Sequence, residues 1–217
     1  MNLYDLPEFK NRMSVRVLKK NTIFRFPEMQ NKYIYFLKEG LMKIAVMNEE
    51  GKEVIKYLVK PGYLFGEITL LDERENPEEY AVALEDTVVL FVAAEKMKQW
   101  MNTHHDLRRE VNKQFCNRIR KIENRLLSII FKDAKIRISE FIADFAIEFG
   151  KKTEQGVDVK NILTHDDIAN LTATSRQTVS STLNELRKKR LIEYNSRTIR
   201  IPVSSKLWGI NKREERN

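Results

Sequence analysis

The sequence predicts an α+β fold, with strands first and helices after. Between Val15 and Val92, short apolar segments recur at roughly ten-residue spacing with Gly and Pro between them, the texture of an all-β sandwich or barrel. From Leu107 onward, apolar residues fall at helical steps instead. Charge follows the same division. Residues 1–103 carry 15 Lys+Arg against 16 Asp+Glu and residues 104–217 carry 24 against 15, so the net +8 is −1 plus +9. A basic second half beside a neutral first half points to a polyanion as the partner of the C-terminal part.

In the strand-rich part, Tyr33 to Leu37 is one compact run ending at Glu39-Gly40. Leu41 to Val46 and Val54 to Val59 flank Asn48-Glu49-Glu50-Gly51, which reads as a hairpin turn. Pro61-Gly62 marks the next turn, and Val82 to Val92 reads as a strand pair broken at Glu85-Asp86. Ala94 to Met101 then begins the helices. Leu107, Val111, Phe115, Ile119, Ile122, Leu126 and Ile129 recur at steps of 4, 4, 4, 3, 4 and 3. That stripe implies a helix of about 33 Å at 1.5 Å per residue. One narrow seam on so long a helix suggests a dimer helix, while a helix lying across its own barrel is the competing reading, and both can hold together. Arg108, Arg109, Lys113, Arg118, Arg120 and Arg125 occupy the faces between.

Phe131 to Ala134 reads as a joint. A helix from Ile136 to about Gly150 follows, with Ile138, Phe141, Ile142, Phe145 and Phe149 apolar and Gly150 as the stop. Lys151 to Asn161 is a loop or short hairpin. The expected domains are therefore 1–103, 104–132 and 133–217.

Leu163 to Leu186 reads as a helix-turn-helix. Thr164 with Asp167 resembles a capping box, placing Ile168, Ala169 and Leu171 inward. The turn falls at Thr172-Ala173-Thr174, where a left-handed Ala173 would cost around 1 kcal/mol. Ser175 caps a second helix whose buried stripe is Val179, Leu183 and Leu186. Its other face carries Arg176, Gln177, Ser180, Ser181 and Asn184, with Thr178 beside them. Long and small polar side chains near a helix N-terminus suit a duplex major groove. There Arg can bond guanine and Gln adenine, each through two hydrogen bonds. The basic exit Arg187-Lys188-Lys189-Arg190 suits phosphates, and Leu191 to Ile201 reads as a hairpin wing with Arg197 at its tip.

Composition narrows the alternatives. With 42% hydrophobic and 32% charged residues the chain can bury a core, and no apolar run approaches a membrane span. The first twenty residues carry Asp5, Glu8, Lys10, Arg12 and Arg16, so no secretory signal is expected. A single cysteine, Cys116, forms no internal disulfide, and a cytoplasmic location is expected. Next to Phe115 it reads as a small buried hydrophobe. Three histidines and one cysteine fall short of the roughly four ligands that a zinc site or iron–sulfur cluster takes, so no cofactor is expected. His104-His105 read as a cap on the long helix. No nucleophile-and-base pairing or Gly-rich phosphate loop stands out, so the chain is not read as an enzyme.

Tyr35-Phe36-Leu37-Lys38-Glu39-Gly40, Pro61-Gly62-Tyr63-Leu64-Phe65-Gly66-Glu67 and Thr174-Ser175-Arg176-Gln177-Thr178-Val179 resemble segments of the Crp–Fnr family of bacterial transcription regulators. The resemblance covers almost the whole chain. It implies an N-terminal jelly-roll barrel of cyclic-nucleotide-binding type, a long dimerisation helix and a C-terminal winged helix-turn-helix. It also implies a homodimer acting on a pseudo-palindromic duplex, with RNA polymerase and a small-molecule effector as further partners. Thr164, Lys188 and Arg197 join the reading face on the DNA side. The implied effector pocket comprises Phe65, Gly66, Glu67, Ile68, Arg74, Tyr80, Phe115 and Ile122.

At that pocket the match departs. Relatives that bind cyclic nucleotide have an Arg-Ser or Arg-Thr pair about ten residues after Gly-Glu, where this chain has Pro77-Glu78 followed by Glu79. A carboxylate repels a phosphate, and the missing arginine removes a charge-assisted pair. Control by cyclic AMP is therefore not expected. Two alternatives stand beside this reading: an effector-binding module with nonspecific nucleic-acid binding, and a cyclic-nucleotide-responsive regulator with an atypical pocket.

Overall fold

In the computed structural model residues 12–25, 33–66 and 79–209 are described. The chain forms two compact units that meet in sequence between Ile122 and Glu123, inside the long helix.

Among the described residues the first unit has eight antiparallel strands: β1 (Ser14–Leu18), β2 (Ile23–Arg25), β3 (Tyr33–Glu39), β4 (Met42–Met47), β5 (Glu53–Val59), β6 (Leu64–Phe65), β7 (Glu79–Ala83) and β8 (Thr87–Ala93). They form two four-stranded sheets, ordered β1-β8-β3-β6 and β2-β7-β4-β5. The tight turn between β4 and β5 lies at Asn48–Gly51, where Gly51 takes φ +77 and donates its N–H to the Asn48 carbonyl at 2.9 Å. The segment read as a paired Val82–Val92 is two strands in different sheets. β7 pairs with β2 and β4, and β8 with β1 and β3. Two apolar strands either side of a turn do not reveal which sheet each joins.

β3 explains the compact apolar run. Successive side chains on a strand point to opposite faces. Tyr35 and Leu37 pack into the core between the sheets, with Phe24, Met42, Ile44 and Phe65. Ile34 and Phe36 pack on the other side, against α1 (Ala94–Thr103) and the start of α2 (His105–Phe131). A strand buried on both faces shows no alternation, which is why Tyr33 to Leu37 reads as continuous.

The α2 stripe divides. Leu107 and Val111 are 1% and 0% exposed, packed with Ile34, Phe36, Leu64, Met97 and Trp100, and Phe115 lies against the same cluster. Expected on a seam between copies, Leu107 and Val111 are instead covered by the chain's own barrel. Polar side chains fasten the same stretch. Gln114 donates to the Gly62 carbonyl and accepts from the Leu64 N–H, both at 3.1 Å, and Arg118 donates to the Leu64 carbonyl at 2.9 Å. Further along, Ile119, Ile122, Leu126, Leu127, Ile129 and Ile130 are 41–61% exposed and Phe131 is 77% exposed.

The second unit contains α3 (Ala134–Phe149), β9 (Lys151–Thr153), β10 (Gly156–Lys160), α4 (His165–Leu171), α5 (Arg176–Lys188), β11 (Glu193–Tyr194), β12 (Thr198–Pro202) and a short 3₁₀ turn at Lys206–Gly209. The strands form one antiparallel sheet in the order β11-β12-β10-β9, so the segment left open as loop or hairpin is a hairpin. Asp133 caps α3 by accepting from the Ile136 N–H at 3.0 Å. Gly150 ends it where a Cβ would lie 2.3 Å from the Ala146 carbonyl oxygen and 2.5 Å from Val157, so only glycine fits without a shift.

Truncating a side chain buried on the helix side of β3 leaves a cavity between that strand and the helices packed on it. Phe36→Ala is expected to lower unfolding free energy by about 3–5 kcal/mol, read as a lower urea midpoint with an unchanged slope.

Candidate nucleic-acid interface

The reading face is assembled by two caps and a strained turn. At the start of α4 the Thr164 hydroxyl donates to the Asp167 carboxylate at 2.7 Å and accepts from the Asp167 N–H at 3.0 Å. The same carboxylate accepts from the Thr164 N–H at 2.9 Å. This is the expected capping box, with Asp167 buried beneath it. It places Thr164 first as a cap, its hydroxyl held within the protein. Ile168 and Ala169 are buried and Leu171 is half-buried.

The turn is fixed by arginines from outside the motif. Ala173 takes φ +50, the left-handed conformation that costs an alanine about 1–2 kcal/mol. The Arg137 guanidinium on α3 donates to the carbonyls of Thr172 (2.8 Å), Ala173 (2.9 Å) and Lys132 (2.6 Å). Arg125, near the end of α2, donates to the Asn170 carbonyl at 2.8 Å, and burial holds its guanidinium below the usual arginine range. Charge-assisted bonds to the carbonyls at the end of α4 offset the strain that the turn stores. The sequence places Arg125 on the faces between the apolar positions, with no indication of what it binds, and does not single out Arg137.

Ser175 caps α5, accepting from the Thr178 N–H at 3.1 Å. Val179, Thr182, Leu183 and Leu186 are buried. Arg176, Gln177, Ser181, Asn184 and Lys188 are exposed, and Thr178 and Ser180 are half-buried. Arg176 also holds an ion pair that the sequence did not suggest, 3.2 Å from the Asp166 carboxylate on α4. The wing turn lies between β11 and β12. Asn195 accepts from the N–H groups of Arg197 (2.8 Å) and Thr198 (3.0 Å), leaving the Arg197 side chain exposed. Asn161 ties the turn to the sheet through bonds to the carbonyls of Asn195 and Arg197.

The residues expected around an effector fall differently. Phe65 is fully buried, stacked on Tyr35 at 5.2 Å between centroids, and Tyr80 is buried with its hydroxyl donating to Glu53 at 2.7 Å. Both belong to the barrel wall. Phe115 packs beneath α2, and Ile122 faces solvent rather than a pocket wall. Gly66 has φ +73, and a Cβ there would meet the Tyr35 ring at 3.0 Å, so the position favours glycine. Glu67, Ile68 and Arg74 lie outside the described residues, as do Pro77 and Glu78. Glu79 is buried and ion-paired to Lys56. Nearby, Arg118 lies over the Tyr57 ring, 4.0 Å from its centroid. Burial pushes the Tyr57 phenol upward in pKa, and Arg118 opposes that shift.

One further expectation is corrected. Cys116 is exposed on α2, because the helix turns it away from the barrel on which Phe115 packs. His104 ends α1, its Nδ1 3.0 Å from the Trp100 carbonyl, while its own carbonyl accepts from Arg108 as α2 begins. Among the described residues no group of His, Cys, Asp and Glu is placed to hold a metal ion, and no helix is long and apolar enough to cross a membrane.

Comparison with known proteins decides the family. Residues 15–104 match the cyclic nucleotide-binding domain, and residues 137–208 match the Crp-like helix-turn-helix domain. The chain belongs to the Crp–Fnr family. This family member is a DNA-binding transcription regulator. It is 25% identical over 191 residues to the anaerobic regulatory protein of Bacillus subtilis, covering 88% of this chain and 79% of that protein. It is 25% identical over 188 residues to the global nitrogen regulator of a Nostoc species, covering 86% and 84%. Its fold is similar to that of a CooA mutant from Carboxydothermus hydrogenoformans, with a TM-score of 0.76 at 21% identity, covering 98% of this chain and 94% of that one.

Within the Crp–Fnr reading head, α5 is also held at its far end. Glu185 bonds Lys135 on α3 at 2.9 Å and Lys189 at 2.7 Å, and these two ammonium groups lower its carboxyl to about 2. A depressed carboxyl stabilises the folded state above its unfolded pKa, and that contribution is lost as pH falls toward the folded value. Acidification from pH 5 to about 2 is therefore expected to narrow the stability difference between wild type and Glu185→Gln, measured by urea unfolding at each pH.

Proposed function

We propose that two copies of the chain bind one pseudo-palindromic duplex site in the cytoplasm, each setting α5 into the major groove. The observation that carries this reading is the face of α5. Arg176, Gln177, Ser181 and Asn184 are exposed, running from its capped N-terminus along the helix, with Lys188 and the wing residue Arg197 available for phosphates. Thr164, Ser175, Thr178 and Ser180 border that face and bring backbone close to it.

Self-association is supported by the second half of α2. Ile119, Ile122, Leu126 and Ile129 continue one helical stripe, and each is at least 41% exposed. Large apolar residues clustered this way on a soluble protein mark a contact surface. The occupant that matches a stripe of this kind is the same stripe of a second copy, related by a two-fold axis.

Control by cyclic AMP is disfavoured by the barrel. Where relatives place an arginine this chain has Pro77-Glu78, and the nearby Lys56 is already paired with the buried Glu79, so neither supplies the charge-assisted pair that a cyclic phosphate takes. The effector, if the barrel takes one, is of different chemistry, and RNA polymerase is the partner through which a bound dimer would act on transcription.

Selection from random duplex DNA by the full-length protein tests the reading, with recovery of a two-fold-symmetric motif as the expected result. Gln177→Ala is expected to lose about 1–3 kcal/mol of discrimination at one position of each half-site, whereas Lys188→Ala weakens all sequences alike and lowers the salt slope by about 1. Uniform weakening by Gln177→Ala would mean nonspecific polyanion binding. Leu126→Asp is expected to convert dimer to monomer in sedimentation.

A further inference from the structure

Asp166 lies in the first turn of α4 and Arg176 is the first residue of α5, and their side chains meet at 3.2 Å on the exposed side of the motif. Both remain open to water, at 66% and 71% exposure, so the pair contributes little to the fold. α4 and α5 are already joined through buried Ile168, Ala169, Val179 and Leu183. The pair must therefore be understood by what it does to Arg176.

We infer that Asp166 is a specificity-determining residue, which orients Arg176 toward a guanine and penalises its use on phosphates. Three features of the pair support this. The contact uses Arg176 Nη1 alone, leaving Nε and Nη2, adjacent donors on one edge of the guanidinium. Two adjacent donors are what guanine O6 and N7 accept. A long side chain loses rotamer freedom when it binds, and a partner that already holds it reduces that loss. Finally, a carboxylate at the reading surface repels the duplex backbone wherever Arg176 is not satisfied by a base, which disfavours sliding, nonspecific binding. An uncharged residue at this position would leave Arg176 to bind the nearest phosphate. The neighbouring Asp167 does not share the role, because its carboxylate is buried in the capping box.

This inference rests on the DNA-reading assignment of α5 and is tested so that the two can fail separately. Full-length wild type, Asp166→Asn, Asp166→Glu, Arg176→Ala and the Asp166→Asn/Arg176→Ala double variant are compared. For each, affinity is measured on the selected duplex and on a scrambled duplex, across a salt series, with thermal unfolding as the control for folding. In wild type the selected site is expected to contain a guanine whose replacement by 7-deazaguanine, which lacks the N7 acceptor, weakens binding. Asp166→Asn is expected to lower the ratio of specific to nonspecific affinity by about tenfold, mostly through tighter nonspecific binding. Asp166→Glu is expected to keep the ratio near wild type. In the Arg176→Ala background Asp166→Asn is expected to change the ratio by less than about twofold. An unchanged ratio in Asp166→Asn, an equal fall in both Arg176 backgrounds, or indifference to 7-deazaguanine would overturn the inference while leaving α5 as the reading helix. Failure of wild type to bind any duplex at low salt would overturn the reading helix itself, and this inference with it.

Discussion

The reading head depends on one guanidinium. Arg137 spans three carbonyls, two at the helix-turn-helix turn and one at the end of α2, and so ties that turn to α3. The turn needs such a tie because Ala173 is left-handed there, a conformation that a Cβ opposes. A two-helix motif that must change direction within three residues leaves carbonyls at the end of α4 without helical partners. Thr174 returns its N–H to the Ala169 carbonyl, and Arg137 and Arg125 take the carbonyls of Asn170, Thr172 and Ala173. The angle at which α5 is presented thus follows from arginines on other helices, and only secondarily from the motif's own sequence.

The long helix shows how one periodic pattern serves two environments. From Leu107 to Ile129 the steps are uniform, yet Leu107 and Val111 are buried and Ile119 onward is exposed. Periodicity reports which face is apolar and says nothing of what covers it. The polar residues mark the change better. Gln114 and Arg118 reach back to backbone groups of Gly62 and Leu64. Beyond Arg118, Ile119, Ile122, Leu126 and Ile129 of the stripe are 41–57% exposed.

What was legible in the sequence was whatever obeys a local rule. The capping box at Thr164–Asp167, the cap at Ser175, the left-handed Ala173, the stop at Gly150 and the buried stripe of α5 each follow from two to four neighbouring residues, and each is present. The barrel was legible as strands and turns, while the partnering of β7 and β8 was not, since pairing across sheets is set by distant segments. The arginines were the largest omission. Arg118, Arg125 and Arg137 bind backbone carbonyls 5 to 54 residues away, and a carbonyl leaves no trace in residue type. Asp166 was hidden for a related reason. An acidic residue in a first helical turn is explained by the helix dipole alone, so its second partner, ten residues on, goes unnoticed.

Symmetry changes the weight of such a pair. In a two-fold dimer each contact occurs in both half-sites, and costs at well-separated base pairs add in free energy. A roughly threefold discrimination at one reading head therefore becomes about tenfold in a two-fold dimer. The same doubling applies to the nonspecific state, in which two carboxylates face the duplex backbone in place of one. A surface ion pair too weak to matter for folding can accordingly account for a large share of selectivity, since folding counts the pair's attraction within one chain whereas recognition counts its difference between two duplexes, twice over.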